Sequence, residues 1–155
     1  RLDLYFGDLK KCEISVLDIS GERIERKKIK MAEILDKPVD YIYEVSEAVL
    51  AAGLENEICE LIKGKILLKE KNKLLITSEN LKNTHFANCY KVLDLFDDVE
   101  KYNSFLKKNN FGKVVLKYSI DPKDYWQERK KFEDGLSGEK EAVVFKVRGK
   151  LIVGS

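Results

Sequence analysis

Cations set on alternate strand positions carry the most legible chemistry in this chain. A row of such side chains on a sheet can track a phosphate backbone. Lys113 and Lys117 share one face of a strand read over 113–119, with Val115 between them. Lys146, Arg148 and Lys150 fall on the outward side of the last hairpin, opposite Val143, Phe145 and Val147. These five are the candidate phosphate-backbone-binding residues. Exposed strand lysines also keep a sheet edge from pairing with a neighbour, and the pattern serves either purpose. A second cationic stretch, 123–131, holds Tyr125, Trp126, Arg129, Lys130 and Lys131. Aromatic rings among cations can stack on bases. Tyr125 and Phe132 lie seven apart, which favours an amphipathic helix with Tyr125, Trp126 and Phe132 on the sheet and the lysines in water.

Catalytic patterns are harder to find. The nine glycines are scattered, and none forms a glycine-rich loop between a strand and a helix. Neither a phosphate-cradling loop nor a dinucleotide fingerprint is present. The single histidine, His85, sits in a polar loop and reads as a surface or capping residue. Cys89 follows it by four, but that spacing joins side chains on a helix, and this segment enters a strand. Asp97 and Asp98 precede a helix, where acids cap and complement the helix dipole. Cys12, Cys59 and Cys89 are far apart, with no Cys-x-x-Cys pair for a zinc or redox site. No metal or cofactor is therefore expected in this chain.

Composition narrows the class. The chain has 155 residues, 44% hydrophobic and 36% charged, with a net charge of +2. Its pI of 8.3 is below the value of about 9 that marks a basic nucleic-acid domain. Any electropositive surface must come from placement. Lysine outnumbers arginine and Gln127 is the only glutamine, a tendency of heat-adapted proteins. A melting temperature of roughly 45–65 °C would count against that. No run has the length of a membrane span, no signal peptide is visible, and dispersed cysteines fit a reducing cytoplasm. The chain opens at Arg1, so a processed start or a longer parent protein is expected.

The elements follow from periodicity. Alternation over 2–6, 12–16 and 23–30 predicts strands in a hairpin or meander. Residues 31–40 read as a connector, with one helical turn over 31–35 and a stop at Pro38. Residues 41–44 end a strand, and Ser46 is placed to cap a helix from Glu47 to Ala52. Helix continues over 54–62, with a break possible at Gly53 and a stop at Gly64. Residues 65–69 are ambiguous, and 74–77 a short strand. Beyond a polar stretch, 89–96 is a strand and 99–108 a helix. After the strand over 113–119, Asp121 caps a helix with Pro122 in its first position. Strands over 141–147 and 151–153 meet at a turn around Gly149–Lys150. The fold class is α+β: an N-terminal β-hairpin or meander over 1–36, then a βαβαββ layer over 37–155 that is close to the ferredoxin-like pattern.

Within 41–54, Tyr43, Glu44, Ala52, Gly53 and Leu54 match a family signature, Tyr-(hydrophobic)-Tyr-Glu-Pro followed by Ala-Gly-Leu. The segment resembles the THUMP-like C-terminal domain of certain class I S-adenosylmethionine-dependent methyltransferases. Val45 stands where that family has proline. Leu4, Phe6, Gly7, Asp8 and Leu9 resemble the segment where the family's catalytic domain meets its tail. Thr77, Ser78, Phe86, Tyr90, Val92 and Leu93 match further short runs. Lys117 matches the lysine of a Lys-x-Arg-Gly element, but Ser119 and Ile120 replace Arg-Gly.

The resemblance implies a THUMP-like tail that binds structured RNA, tRNA above all, and presents it to a methyltransferase domain. S-adenosylmethionine would belong to that domain, upstream of this chain. The alternative is a structural or protein-interaction domain, packing on a catalytic domain or a dimer partner without touching RNA. That reading expects an exposed apolar patch.

Overall fold

The structure is a computed structural model that describes residues 14–155. The strand read over 2–6, the resemblance at 4–9 and Cys12 lie outside the described residues. The described residues form two compact units, parting between Cys89 and Tyr90. Both combine helices with mostly antiparallel strands, and the fold is α+β.

The first unit opens with a hairpin of β1 (Ser15–Leu17) and β2 (Arg23–Glu25). Val16 and Ile24 face each other across it and are buried. The following arm is extended, where a helical turn was expected over 31–35. Ile34 bridges Ile66 in parallel. Leu35 N donates to Ile66 O at 2.9 Å, and Ile66 N to Glu33 O at 2.8 Å. A strand edge with unpaired amides captures the arm before it can coil.

β3 (Tyr41–Val45), α1 (Glu47–Ala51), α2 (Glu55–Ile62), β4 (Lys65–Glu70) and β5 (Lys73–Ser78) complete this unit. β5 lies between β4 and β3, antiparallel to both. Its core joins Tyr43 and Val45 to Ile58, Ile62, Leu74 and Ile76. Ser46 does stand before α1, but its side chain makes no cap hydrogen bond. The break between the helices falls at Gly53, whose φ of +64° is left-handed. Arg26 fixes that corner, its Nη2 donating to Ala52 O at 2.9 Å and Gly53 O at 2.6 Å. The stop after α2 is made by Lys63 in the left-handed region, φ 55°, not by Gly64. Gly64 is needed for another reason: a Cβ there would lie 2.5 Å from Ile76 Cγ2.

The second unit holds most of β6 (Ala87–Phe96), then α3 (Val99–Lys108), β7 (Phe111–Leu116), α4 (Tyr125–Glu133), β8 (Lys140–Val147) and β9 (Lys150–Gly154). The βαβαββ succession expected over 37–155 is found from Ala87 onward alone. The strands lie in the order β6-β9-β8-β7. β7 and β8 are parallel, as a helical crossover through α4 allows. Tyr102, Leu106 and Phe132 of the helices pack with Val114, Val144 and Val153 of the sheet.

Two boundaries differ from expectation. Asp121 and Pro122 form a turn of their own, with Asp121 Oδ1 accepting from Lys123 N at 3.0 Å, and α4 begins only at Tyr125. The last turn centres on Arg148 and Gly149, at φ 50° and 80°, not on Gly149 and Lys150. Two successive left-handed residues give a two-residue turn whose twist suits a hairpin.

Candidate nucleic-acid interface

Because β7 and β8 are parallel, their carboxyl ends lie side by side. Lys117 N donates to Val144 O at 2.7 Å, which extends the ladder by one step. Alternation then sets the faces. Lys117 follows Leu116, which pairs with Val144, so Lys117 lies on the face of Val143 and Phe145. Tyr118 and Lys146 lie on the other face, with Ala142 and Val144, where α3 and α4 pack.

That corrects the expected row. Lys146 does lie opposite Val143, Phe145 and Val147, but its face is the helix-bearing one. Lys150 pairs with Val147 and shares its face. Both faces of β8 are apolar and buried, from Ala142 to Phe145, so no outward side exists along the middle of the strand. Lys150 Nζ is 3.2 Å from Asp97 Oδ1. Lys113 is exposed on β7, four residues before Lys117. Arg148 is exposed in the hairpin turn. The structure thus brings Lys117, Lys146, Arg148 and Lys150 to one end of the strands, with Lys150 engaged by Asp97, and leaves Lys113 apart from them.

Lys117 and Lys146 each lie over a tyrosine ring. Lys117 Nζ is 5.9 Å from the Tyr90 centroid, and Lys146 Nζ 5.8 Å from that of Tyr118. The rings steady the lysine stems while leaving the ammonium groups near solvent. Tyr118 is tied to α4, its hydroxyl donating to Glu128 Oε1 at 3.3 Å. Lys131 Nζ donates to Glu128 Oε2 at 2.7 Å. That bond, and Lys146 beyond it, hold the Glu128 carboxyl below its usual range. Burial pushes the Tyr118 phenol up. Lys131, Lys146, Tyr118 and Glu128 form a connected group with one acid among two cations, suited to an anionic ligand.

Sequence reasoning missed Tyr118, Glu128 and Lys131 as a group. Glu128 and Lys131 are three apart on a helix, a usable signal. The link to Tyr118 exists only once α4 has crossed back over the sheet. It also missed Glu133, whose Oε1 accepts from Val114 N at 2.9 Å and from Arg129 Nε at 2.9 Å. This occupies an amide on the outer side of β7.

Trp126 does not pack on the sheet as expected. Phe132 is buried and Tyr125 half-buried, but Trp126 is 70% exposed. One residue beyond Tyr125 is about 100° further round the helix, clear of the buried stripe.

The resemblance residues build the fold. Tyr43 is fully buried; its hydroxyl donates to Asn80 O at 2.9 Å and accepts from Lys82 N at 2.7 Å. Tyr43→Phe should lower stability by about 1–2 kcal/mol in urea unfolding. Burial also pushes the Tyr43 phenol up to about 12. The unfolded chain releases that proton near pH 10. Stability should therefore fall as pH rises from about 10 to 12, less steeply in Tyr43→Phe.

A cleft of about 240 Å³ opens beside this corner, lined by Glu44, Ser46, Lys73 and His85 among others. No activated nucleophile serves it. His85 is exposed, with Nδ1 3.7 Å from Asp18 Oδ2. Burial pushes the Cys89 thiol up, away from the thiolate form, and its hydrogen-bond partner is Tyr43. Asp98 caps α3, accepting from Lys101 N at 2.7 Å. Among the described residues no helix is long and apolar enough to cross a membrane.

No family model matches the sequence, and no curated protein matches it at a significant level. Among solved structures, the chain is similar to the crystal structure of a "putative methyltransferase" from Porphyromonas gingivalis W83. The TM-score is 0.58 over 90% of this chain, at 15% identity. The chain spans about a third (35%) of that protein's length. At this identity, what the two chains share is a fold.

Proposed function

We propose that this chain is a non-catalytic region of an S-adenosylmethionine-dependent methyltransferase, one that holds structured RNA such as tRNA for its catalytic domain. The observation that carries this reading is the fold correspondence. It covers nearly all of this chain and about a third of a protein described as a methyltransferase, leaving the larger part of that protein to house catalysis. The RNA part of the reading is supported by Lys117, Lys146 and Arg148 at one end of the β7–β8 pair, with Lys131 on the Lys146 side. Its partners are structured RNA and the methyltransferase domain, fused or associated.

Titration of the chain with total tRNA, followed by filter binding, tests it. The wild type should bind, and Lys117→Ala with Lys146→Ala should weaken binding roughly tenfold and lower the salt slope by about 2, one per lost phosphate contact. Unchanged affinity in the double variant would remove these lysines from the interface. A second reading, docking on a protein partner, is favoured by exposed apolar side chains in the first unit: Leu17, Ile19, Met31 and Ile34 are each at least half exposed. It expects no affinity for tRNA.

A further inference from the structure

Trp126 is the chain's single tryptophan, and its ring stands in solvent although its setting is rigid. The edge of Tyr125 meets it at 5.5 Å and 84° between planes. On the next turn of α4, the Arg129 guanidinium lies 5.6 Å from its centroid. Arg129 is itself held, with Nη2 2.8 Å and Nε 2.9 Å from Glu133 Oε1. Glu133 is anchored in turn by the Val114 amide of β7, at 2.9 Å. A chain of contacts thus runs from the sheet to one aromatic side chain that is 70% exposed.

Within α4 the charges left unmatched beside this ring are cationic, while Asp121 and Asp124 stand exposed in the turn before it. Lys130, four residues after Trp126, shares its face of α4, and Lys123 stands in the turn just before the helix; both are exposed. The acids of α4 are engaged elsewhere: Glu128 with Lys131 and Tyr118, Glu133 with Arg129. An exposed, pre-oriented indole among cations matches one chemistry well. It offers a π-face for an unpaired base and ammonium groups for the phosphates on either side. A protein partner would need a broader apolar surface around the ring. Here the neighbours are Lys123, Asp124, Gln127 and Lys130, all exposed.

We propose that Trp126 is a stacking platform for an unpaired nucleobase of the bound RNA, with Lys123 and Lys130 holding the adjoining phosphates. This rests on the RNA reading above and adds the element recognised: a base outside a duplex. Pre-orientation by Tyr125 and Arg129 spares the ring the ordering entropy that a free side chain would lose on binding.

The lone tryptophan supplies its own reporter. Its fluorescence is followed while the full chain is titrated with a single-stranded oligoadenylate of about eight nucleotides, with a duplex RNA of equal charge, and with total tRNA. Affinities for the Trp126→Ala and Trp126→Phe variants are read in parallel by anisotropy of labelled RNA. Stacking predicts quenching by the oligoadenylate and by tRNA, but not by the duplex. Trp126→Ala should lose about tenfold in oligoadenylate affinity, and Trp126→Phe should recover most of it. Salt-sensitive tRNA binding with no quenching, and with Trp126→Ala equal to wild type, would overturn the platform and leave the RNA reading standing. No binding of any of the three RNAs would overturn both.

Discussion

Phe132→Ala is expected to lower stability by about 4 kcal/mol, within the range for emptying an aromatic core site. The ring is 1% exposed and meets Tyr102 edge to face at 5.1 Å. Around it lie Leu106, Val114 and Val144, groups fixed by sheet and helix that cannot close the space. The backbone here is held separately: Asn103 Nδ2 donates to Phe132 O at 2.8 Å and Asp134 O at 3.0 Å. Deleting the ring therefore leaves a cavity under a tethered helix. In urea this reads as a midpoint lower by roughly 2 M. A change under about 1 kcal/mol would show that α4 is not docked by this ring. Because α4 carries Glu128, Lys131 and Trp126, loss of that docking should weaken RNA binding as well. Trp126→Ala, six residues earlier on the same helix, should move stability by less than about 0.5 kcal/mol.

The second large effect is expected at Gly112. β7 and the loop before β8 pass each other backbone to backbone. Gly138 N donates to Phe111 O at 3.3 Å, and Lys140 N to Asn110 O at 3.2 Å. A Cβ on Gly112 would overlap Gly138 O, and one on Gly138 would overlap the Asn110 carbonyl. No side chain is present to rotate away, so a strand must shift. Gly112→Ala should lower stability by about 3 kcal/mol, the upper end of overpacking effects, and the melting temperature by roughly 10 °C. Lys113→Ala, next in sequence and exposed, is the matched comparison and should change little. If the two variants melted alike, the close crossing would be wrong.

Helix α3 was legible residue for residue. Asp98 caps it, and Val99, Tyr102, Phe105 and Leu106 mark one stripe. The corner at Gly53 was also visible, since glycine there interrupts an apolar run. β4 was not. Its register slips between Ile66 and Leu68, which breaks the alternation, and Lys65 and Lys69 dilute its apolar content. The arm over 31–35 misled for a different reason: its extended form depends on pairing with Ile66, a long-range partner that local pattern cannot supply.

The interface was legible only as a set of exposed cations. Which face each lysine occupies depends on register and on the side that the helices cover. β8 reads apolar at four consecutive positions, Ala142, Val143, Val144 and Phe145, so alternation could not name an outward face. The Tyr118–Glu128–Lys131 group is assembled by the α4 crossover. Trp126 was assigned to the core by its neighbours' spacing, and only the phase of α4 shows that it turns away.

The central claim is that an electrostatic RNA contact is built on the second unit. Its most direct test is the affinity of the wild-type chain for total tRNA measured across a range of salt concentrations. Three phosphate contacts, from Lys117, Lys146 and Arg148, predict that the logarithm of affinity falls linearly with the logarithm of salt, with a slope of roughly −2 to −3. A flat dependence, or no binding at the lowest salt, would contradict it and leave docking on a protein partner as the better account.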